Sequence, residues 1–289
     1  MLTLETVFQS ELAPIIINNL SCFTEYPIKI LCLYLLYEKS KGEKSIWNSY
    51  IKTLPLSFTT TVCWNNEDIS LLEDTWLIRK TMSRISLIES LYNDILPVLN
   101  VIILNTIVYC YVKAHSQLFP LEVFTLSNFK WAWCCFMTRS VFYDSNYVID
   151  MYNLDNSVLS AKFRKENNYA MVPLLDGLNH TNIEVVIVFS ILFNLFFIKV
   201  DGFFDKKTKT YNIVTHDDWE KGQQVFICYG NHSNATLLIE YGFIIPNNIH
   251  NCIKLKNVTS LFPELKCLSK VKEQWLAENN LLPDGNTKQ

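Results

Sequence analysis

The chain has 289 residues, of which 49% are hydrophobic and 13% aromatic, so it has enough apolar material for a sizeable core. Only 18% of the residues are charged and the formal net charge is −3, so direct binding to nucleic acid through a basic surface is not expected. The nine cysteines show no C-x-x-C spacing and the N-terminus has no signal-peptide pattern, which indicates reduced thiols in an intracellular protein.

The first half of the chain has the apolar spacing of amphipathic helices. Residues 27–42 predict a helix, because a proline occupies its first turn and Lys and Gly stand at its end. A short helix over residues 45–55 follows. A long helix is predicted over residues 68–96 and is expected to be interrupted at Pro97. Another helix runs through residues 121–142, so the first half is mostly helical.

After about residue 145 the sequence changes to short apolar runs separated by Asn, Asp, Gly and Pro, which is typical of strands and turns. The runs lie at residues 169–176, 185–200, 211–215 and 223–230, and Gly222 is expected to supply a positive φ before the last of them.

Residues 185–198 are uncharged and almost entirely apolar. They are shorter than the roughly 17–25 residues of a spanning helix, and they contain Ser190 and Asn194. Their β-branched and aromatic content favours a buried strand over a membrane span.

Several kinds of site are excluded by the motifs. The seven glycines form no phosphate-binding loop, and the five histidines lack metal-ligand spacing, so no metal site is expected. No G-x-S-x-G elbow is present. Three stretches remain as candidates: WAWCCFMTRSV around Arg139, LLDGLNH ending at His180, and VFICYGNHSNATLLIEYGF over residues 225–243.

In this order, the three stretches resemble the SET-domain methyltransferases of the Rubisco large-subunit methyltransferase-like class. In that class a helix ending in Arg precedes a D-x-x-N-H motif, and a Y-G-x-x-x-N-x-x-L-x-x-Y-G-F motif follows. D-x-x-N-H alone would be a weak signal, but the ordered combination is specific. The last motif matches here at Tyr229, Gly230, Asn234, Leu237, Tyr241, Gly242 and Phe243.

The resemblance implies an α+β fold, in which a SET domain of small sheets with knot-like C-terminal threading is interrupted by a helical insert. It implies a partial SET domain over residues 1–245, an insert over about residues 25–130, and the start of a helical substrate-binding region over residues 246–289. The chain is expected to be shortened at both ends, because the family's N-terminal G-x-G segment has no counterpart here. Residues 185–198 resemble an insertion, with translated non-coding sequence as one hypothesis.

The resemblance also implies an S-adenosylmethionine-dependent protein-lysine N-methyltransferase. Methyl transfer from a sulfonium needs an aligned, neutral amine and exclusion of water, and it needs no metal. The acceptor would be a lysine of a histone or non-histone protein, the enzyme a monomer, and the location the cytoplasm, the nucleus or both. The implied residues are Tyr229 for catalysis; Arg139, Asp176, Asn179, His180, Tyr241 and Phe243 for the cofactor; and Tyr241 and Val141 for the substrate.

Alternatives stay open at this point. A related member of the class modifies histidine, although an apolar Val141 favours lysine. A catalytically inactive SET-like chain could bind a partner through its helical half, and residues 185–198 could associate with a membrane. Taken alone, Tyr229 also fits a strand-end aromatic, Arg139 a charge favoured by the helix dipole, and Asn179 a turn residue.

Overall fold

The computed structural model describes residues 1–112, 121–154, 159–181, 202–205, 208, 210–214 and 220–252. The helices in these ranges are α1 (Leu4–Phe8), α2 (Ala13–Asn18), α3 (Ile28–Ser40), α4 (Asn48–Ile51), α5 (Asn66–Ser70), α6 (Thr75–Val112), α7 (Leu126–Arg139), α8 (Asn146–Met151), α9 (Ala161–Glu166) and α10 (Asn234–Glu240). The strands are β1 (Val141–Phe142), β2 (Tyr169–Ala170), β3 (Asn179–His180), β4 (Gly202–Asp205), β5 (Thr210–Ile213) and β6 (Phe226–Ile227). Short 3-10 turns lie at Leu20–Phe23, Gly42–Lys44, Thr61–Cys63, Leu121–Val123 and Leu175–Gly177.

The centre of the core is α3, which packs against α7, α1 and α6. The helix begins immediately after Pro27, as predicted, and its residues from Ile28 to Glu38 are all buried. Its two buried charges have partners. Lys29 Nζ lies 3.0 Å from Asp94 Oδ2, and Glu38 accepts hydrogen bonds from Lys41 and Ser45. A buried charge without a partner would be strongly destabilising, so these pairs allow an almost fully buried helix.

The prediction that Pro97 interrupts the long helix was wrong. Helix α6 begins at Thr75, where Asp74 Oδ1 accepts a 2.7 Å hydrogen bond from the Trp76 amide, and it continues past Pro97 to Val112. An internal proline costs a helix about 3 kcal/mol. The side chains beside it, Ile95, Val98 and Leu99, are almost fully buried, and each such burial contributes about 1.5–3 kcal/mol. Tertiary packing therefore outweighs the local penalty.

The sheets in the described ranges are small, and the α+β class is confirmed. Strands β1 and β2 pair antiparallel, with Val141 opposite Ala170, and β4 and β5 form an antiparallel pair. Strands β3 and β6 pair in parallel, with Asn179 opposite Phe226. The run at residues 169–176 forms only the short β2, since Pro173 offers no amide donor and Leu174 has a φ of 77°. Gly222 has the expected positive φ.

Two predictions fall on parts of the chain outside the described residues: the strand or insertion at residues 185–198, and most of the helical region at residues 246–289. Among the helices that the structure does describe, none has the length and apolar character that crossing a membrane requires.

Gly242 docks the last motif onto the loop before the Thr61–Cys63 turn. It follows α10, and its amide donates to the carbonyls of Leu237 and Leu238 at 2.9 and 3.2 Å, with a φ of 83°. Thr59 Oγ1 donates a 2.7 Å hydrogen bond to the Gly242 carbonyl. A Cβ at this position would lie 2.5 Å from Thr59 Oγ1 and 2.6 Å from the Thr60 nitrogen. Only glycine fits this contact.

We therefore expect Gly242→Ala to reduce the free energy of unfolding by about 3 kcal/mol, since it combines backbone strain with a clash against backbone. Gly42→Ala is the matched control, because Gly42 also has a positive φ of 52° but a Cβ there meets no atom within 4 Å. The control is expected to lose about 1 kcal/mol. Urea denaturation of both variants measures the difference, and equal losses would contradict the docking role of Gly242.

Candidate active site

A cavity of about 810 Å³ lies between residues 49–59 and the three motif stretches. One side is formed by α4 and the loop after it, including Tyr50 and Thr59. The other side is formed by the end of α7 and the turn before β3. Tyr229, Tyr241 and Phe243 complete the wall. The cavity is within the 300–1,000 Å³ range typical of small-molecule sites.

Arg139 reaches the cavity because it is the last residue of α7. The helix starts at a Thr125 cap and buries Phe129 and Phe136 on its inner face. Arg139 Nη1 donates a 2.8 Å hydrogen bond to the Asp176 carbonyl and lies 3.8 Å from Asp176 Oδ2. Its Nε–H group is buried and has no hydrogen-bond partner in the described part of the chain. The cavity wall thus contains a fixed guanidinium with an unused donor.

Asp176 lies in the turn before β3, and its side chain is only 4% exposed. Tyr50 Oη, from α4, donates a 2.5 Å hydrogen bond to Asp176 Oδ2. Burial raises the pKa of the Asp176 carboxyl, while the Tyr50 hydrogen bond and the Arg139 charge partly offset that rise. Burial and the neighbouring carboxylate also raise the pKa of Tyr50, so its hydroxyl stays a donor. Asp176 is therefore held between α4 and the end of α7.

Tyr229 follows β6 and is fixed at both ends by the strand β3 region. Its amide donates to His180 Nδ1 at 3.1 Å, and its hydroxyl donates to the Leu178 carbonyl at 2.6 Å. The rings of Tyr229 and His180 stack with centroids 5.1 Å apart. Burial raises the pKa of Tyr229, with a smaller lowering by Arg139. The phenol is consequently neutral near pH 7 and its oxygen has a defined position.

Tyr241 and Phe243 form the aromatic side of the cavity. The Tyr241 ring centroid lies 4.8 Å from that of Tyr229 and 6.2 Å from that of Phe243. Burial raises the pKa of Tyr241 to about 12. Asn234, the first residue of α10, exchanges two hydrogen bonds with the Ile245 backbone at 3.0 and 3.1 Å. The motif asparagine therefore closes the loop that carries both rings.

The structure brings most of the predicted site residues to one place. The cavity is lined by Arg139, Asp176, Asn179, Tyr229, Tyr241 and Phe243. His180 stands behind this wall, where its ring supports Tyr229. Val141 lies on β1 opposite Ala170 and is not a lining residue of the cavity. The roles assigned to these residues stay predictions.

Sequence reasoning missed Tyr50 and Thr59. Tyr50 lies in the short helix predicted over residues 45–55 and Thr59 follows that helix, and Tyr50 bonds to a residue 126 positions later. The sequence pattern of a short amphipathic helix does not indicate that its tyrosine contacts a residue so far along the chain. Within the described ranges, no three side chains of His, Cys, Asp or Glu are grouped as metal ligands would be.

No family model matches the chain. SET domain-containing protein 4 of Mus musculus is 32% identical over 256 residues, which cover 88% of this chain and 49% of that protein. Actin-histidine N-methyltransferase of Mus musculus is 25% identical over 227 residues, covering 78% and 31%. The structure of Rubisco LSMT bound to AdoMet is 25% identical, with a TM-score of 0.54 over 84% of this chain and 44% of that chain.

The chain has the α+β fold of the SET domain and is similar to the Rubisco large-subunit methyltransferase-like class. The resemblance predicted from the three motif stretches is confirmed. A second structure, the SET domain of LSMT bound to MeLysine and AdoHcy, is 25% identical, with a TM-score of 0.51 over 85% of this chain and 45% of that chain. This SET-domain chain spans about half the length of the curated relatives it matches.

We expect Tyr50→Phe to destabilise this SET-domain chain more near pH 7 than near pH 4. An acid whose pKa is raised by folding stabilises the fold below its unfolded pKa and loses that contribution as the pH rises through the folded pKa. Removing the Tyr50 hydrogen bond raises the pKa of Asp176 further, so the loss becomes larger. The extra destabilisation at neutral pH should be about 1–2 kcal/mol by urea unfolding.

The control is the same substitution in an Asp176→Asn background. An amide does not titrate, so the effect of Tyr50→Phe should there be independent of pH. A loss that is the same at both pH values in the wild-type background would show that the hydroxyl does not act on an ionised Asp176.

Proposed function

We propose that the chain is the catalytic part of an S-adenosylmethionine-dependent protein-lysine N-methyltransferase. The observation that carries the proposal is the convergence of all three motif stretches on one cavity, with the Tyr229 hydroxyl and the Arg139 guanidinium in its wall. Rubisco LSMT has been solved with AdoMet, and the SET domain of LSMT with MeLysine and AdoHcy.

The residues of the cavity fit this cofactor. Arg139 has a buried Nε–H without a partner, and a guanidinium is well suited to a carboxylate such as that of the methionine moiety. The faces of Tyr241 and Phe243 are suited to a cationic or aromatic group. Asn179 is exposed in the cavity and offers an amide with both donors and acceptors. In the proposed site, Asp176 shapes the turn and His180 supports Tyr229.

When bound, S-adenosylmethionine would supply a methyl group on an electrophilic sulfonium. The protein's own task is then to present a neutral amine in line with that methyl and to exclude water. Removal of the lysine side chain from water disfavours its ammonium form and so promotes loss of the lysine proton. Tyr229 presents a neutral hydroxyl at a fixed position, since its own hydrogen bond to the Leu178 carbonyl is 2.6 Å long. We assign it to orienting the amine.

Lysine is the proposed acceptor. The relatives include an actin-histidine N-methyltransferase, so an imidazole is the competing acceptor. Tyr241, which lines the cavity, is proposed to line the lysine channel. A histone or another protein as substrate, in the nucleus or the cytoplasm, is part of the proposal and rests on the resemblance alone.

Cofactor binding by calorimetry tests the proposal. The wild-type chain should bind S-adenosylmethionine, and Arg139→Gln should weaken the affinity at least about tenfold through loss of charged hydrogen bonds. The matched control is Arg84→Gln. Arg84 pairs with Glu240 at 2.5 Å, and it does not line the cavity. Absence of heat with the wild-type chain at millimolar cofactor would limit any methyl transfer to a longer protein.

Tyr229→Phe is expected to lower the rate of methyl transfer to core histones at least about tenfold, while the Kd for the cofactor changes less than about twofold. The phenyl ring keeps its stacking on His180, and only the hydroxyl is lost. Tyr92→Phe removes a tyrosine hydroxyl that donates to the Phe124 carbonyl outside the cavity, and it should leave the rate unchanged. Equal losses of affinity and rate in Tyr229→Phe would refute the orienting role.

A further inference from the structure

Two thiols lie close together beside the cavity. Cys63 ends the 3-10 turn at Thr61–Cys63, and Cys134 lies on α7, with their Sγ atoms 3.7 Å apart. Cys63 is exposed, whereas Cys134 is fully buried. Thr60 Oγ1 is 3.8 Å from one sulfur and 3.9 Å from the other.

The two thiols differ in their pKa and in their exposure, which favours attack by one of them on an oxidant. Cys134 and Thr60 act as donors to Cys63 and, with the charge of Lys130, lower its pKa despite partial burial. The same hydrogen bond, together with burial, raises the pKa of Cys134. The accessible sulfur is therefore the better nucleophile, and the protonated one lies directly behind it.

We propose that Cys63 and Cys134 form a reversible intramolecular disulfide, with a hydroperoxide such as hydrogen peroxide as the oxidant. The Cys63 thiolate attacks one peroxide oxygen and the O–O bond breaks. This gives Cys63 sulfenic acid and hydroxide, which takes up the proton that Cys63 released and becomes water. The Cys134 sulfur then attacks the sulfenic sulfur, the S–O bond breaks, and the departing hydroxide leaves as water with the Cys134 proton. In total, two thiols and one peroxide give one disulfide and two waters.

The geometry allows this bond with a small movement. The sulfur atoms must approach from 3.7 Å to about 2 Å. Cys63 is at an exposed turn end, so side-chain rotation and a local shift of that turn can supply the approach. The neighbouring Cys135 belongs to a different environment, since its buried thiol interacts with Cys32, Lys39 and Arg139.

The disulfide would connect two walls of the cavity. Thr59, just before the turn, bonds to Gly242, and Arg139 follows Cys134 on α7. Oxidation would thus fasten the loop that holds the last motif to the helix that carries Arg139. The inference rests on the thiol geometry and does not depend on methyl transfer.

Mass spectrometry tests the proposal on the full chain. The protein is treated with hydrogen peroxide, free thiols are blocked with N-ethylmaleimide, and the digest is searched for linked peptides. The expected product joins Cys63 to Cys134 with loss of two hydrogens, and dithiothreitol reverses it. The same link should persist in Cys135→Ala, which resolves the adjacent cysteines, and should be lost in Cys63→Ala and Cys134→Ala.

Thermal unfolding gives a second test, and this test does not require that the variant at the buried position, Cys134→Ala, folds. A disulfide that closes so long a segment should raise the Tm by roughly 5 °C in the wild-type chain and in Cys135→Ala. The exposed Cys63→Ala should show no rise after peroxide. Sulfinic acid at Cys63 with a free Cys134, a link from Cys63 to Cys135, or a rise in Tm that persists in Cys63→Ala would each overturn the proposal.

Discussion

The site depends on the parallel pairing of β3 with β6, two strands of two residues each that lie far apart in sequence. So short a ladder supplies few backbone hydrogen bonds, and neighbouring contacts extend it. The Thr181 amide donates to the Ile227 carbonyl at 3.0 Å, and the Tyr229 amide donates to His180 Nδ1 at 3.1 Å. The histidine thus continues the pairing by one side-chain bond. Together with the hydrogen bond from the Tyr229 hydroxyl to the Leu178 carbonyl, this bond orients Tyr229 against the β3 region.

A second constraint links helix α4 to the site beside the β3–β6 pair. A carboxylate as buried as Asp176 is stable only with partners, and its partners come from α4 and from the end of α7. Helix α4 therefore supplies a hydrogen bond to the site. Any movement of α4 would change the solvation and the pKa of the Asp176 carboxyl.

The sequence alone identifies the motif residues, but it does not reveal the tertiary contacts that hold them in place. Local rules of periodicity, capping and turn geometry predict helix α3 and the positive φ of Gly222, whereas the end of α7 at Arg139 is expected only from the family resemblance. The continuation of α6 through Pro97 does not, because buried side chains on both sides of the proline decide it. The Tyr50 contact is likewise outside the reach of any local pattern, since chain separation carries no information on tertiary distance.

The two kinds of support around the cavity differ in rigidity. Arg139 is the end of a helix whose inner face is fully buried against α3, so its position follows from core packing. Tyr229, Tyr241 and Phe243 lie on short elements held by a few hydrogen bonds and by the Gly242 contact with Thr59. The aromatic wall is therefore the side whose position responds to local changes, while the guanidinium stays fixed. Cys63 lies close to Thr59 in the chain, and Cys134 lies on the same helix as Arg139. A disulfide between Cys63 and Cys134 would therefore make the aromatic wall more rigid relative to the Arg139 side of the cavity.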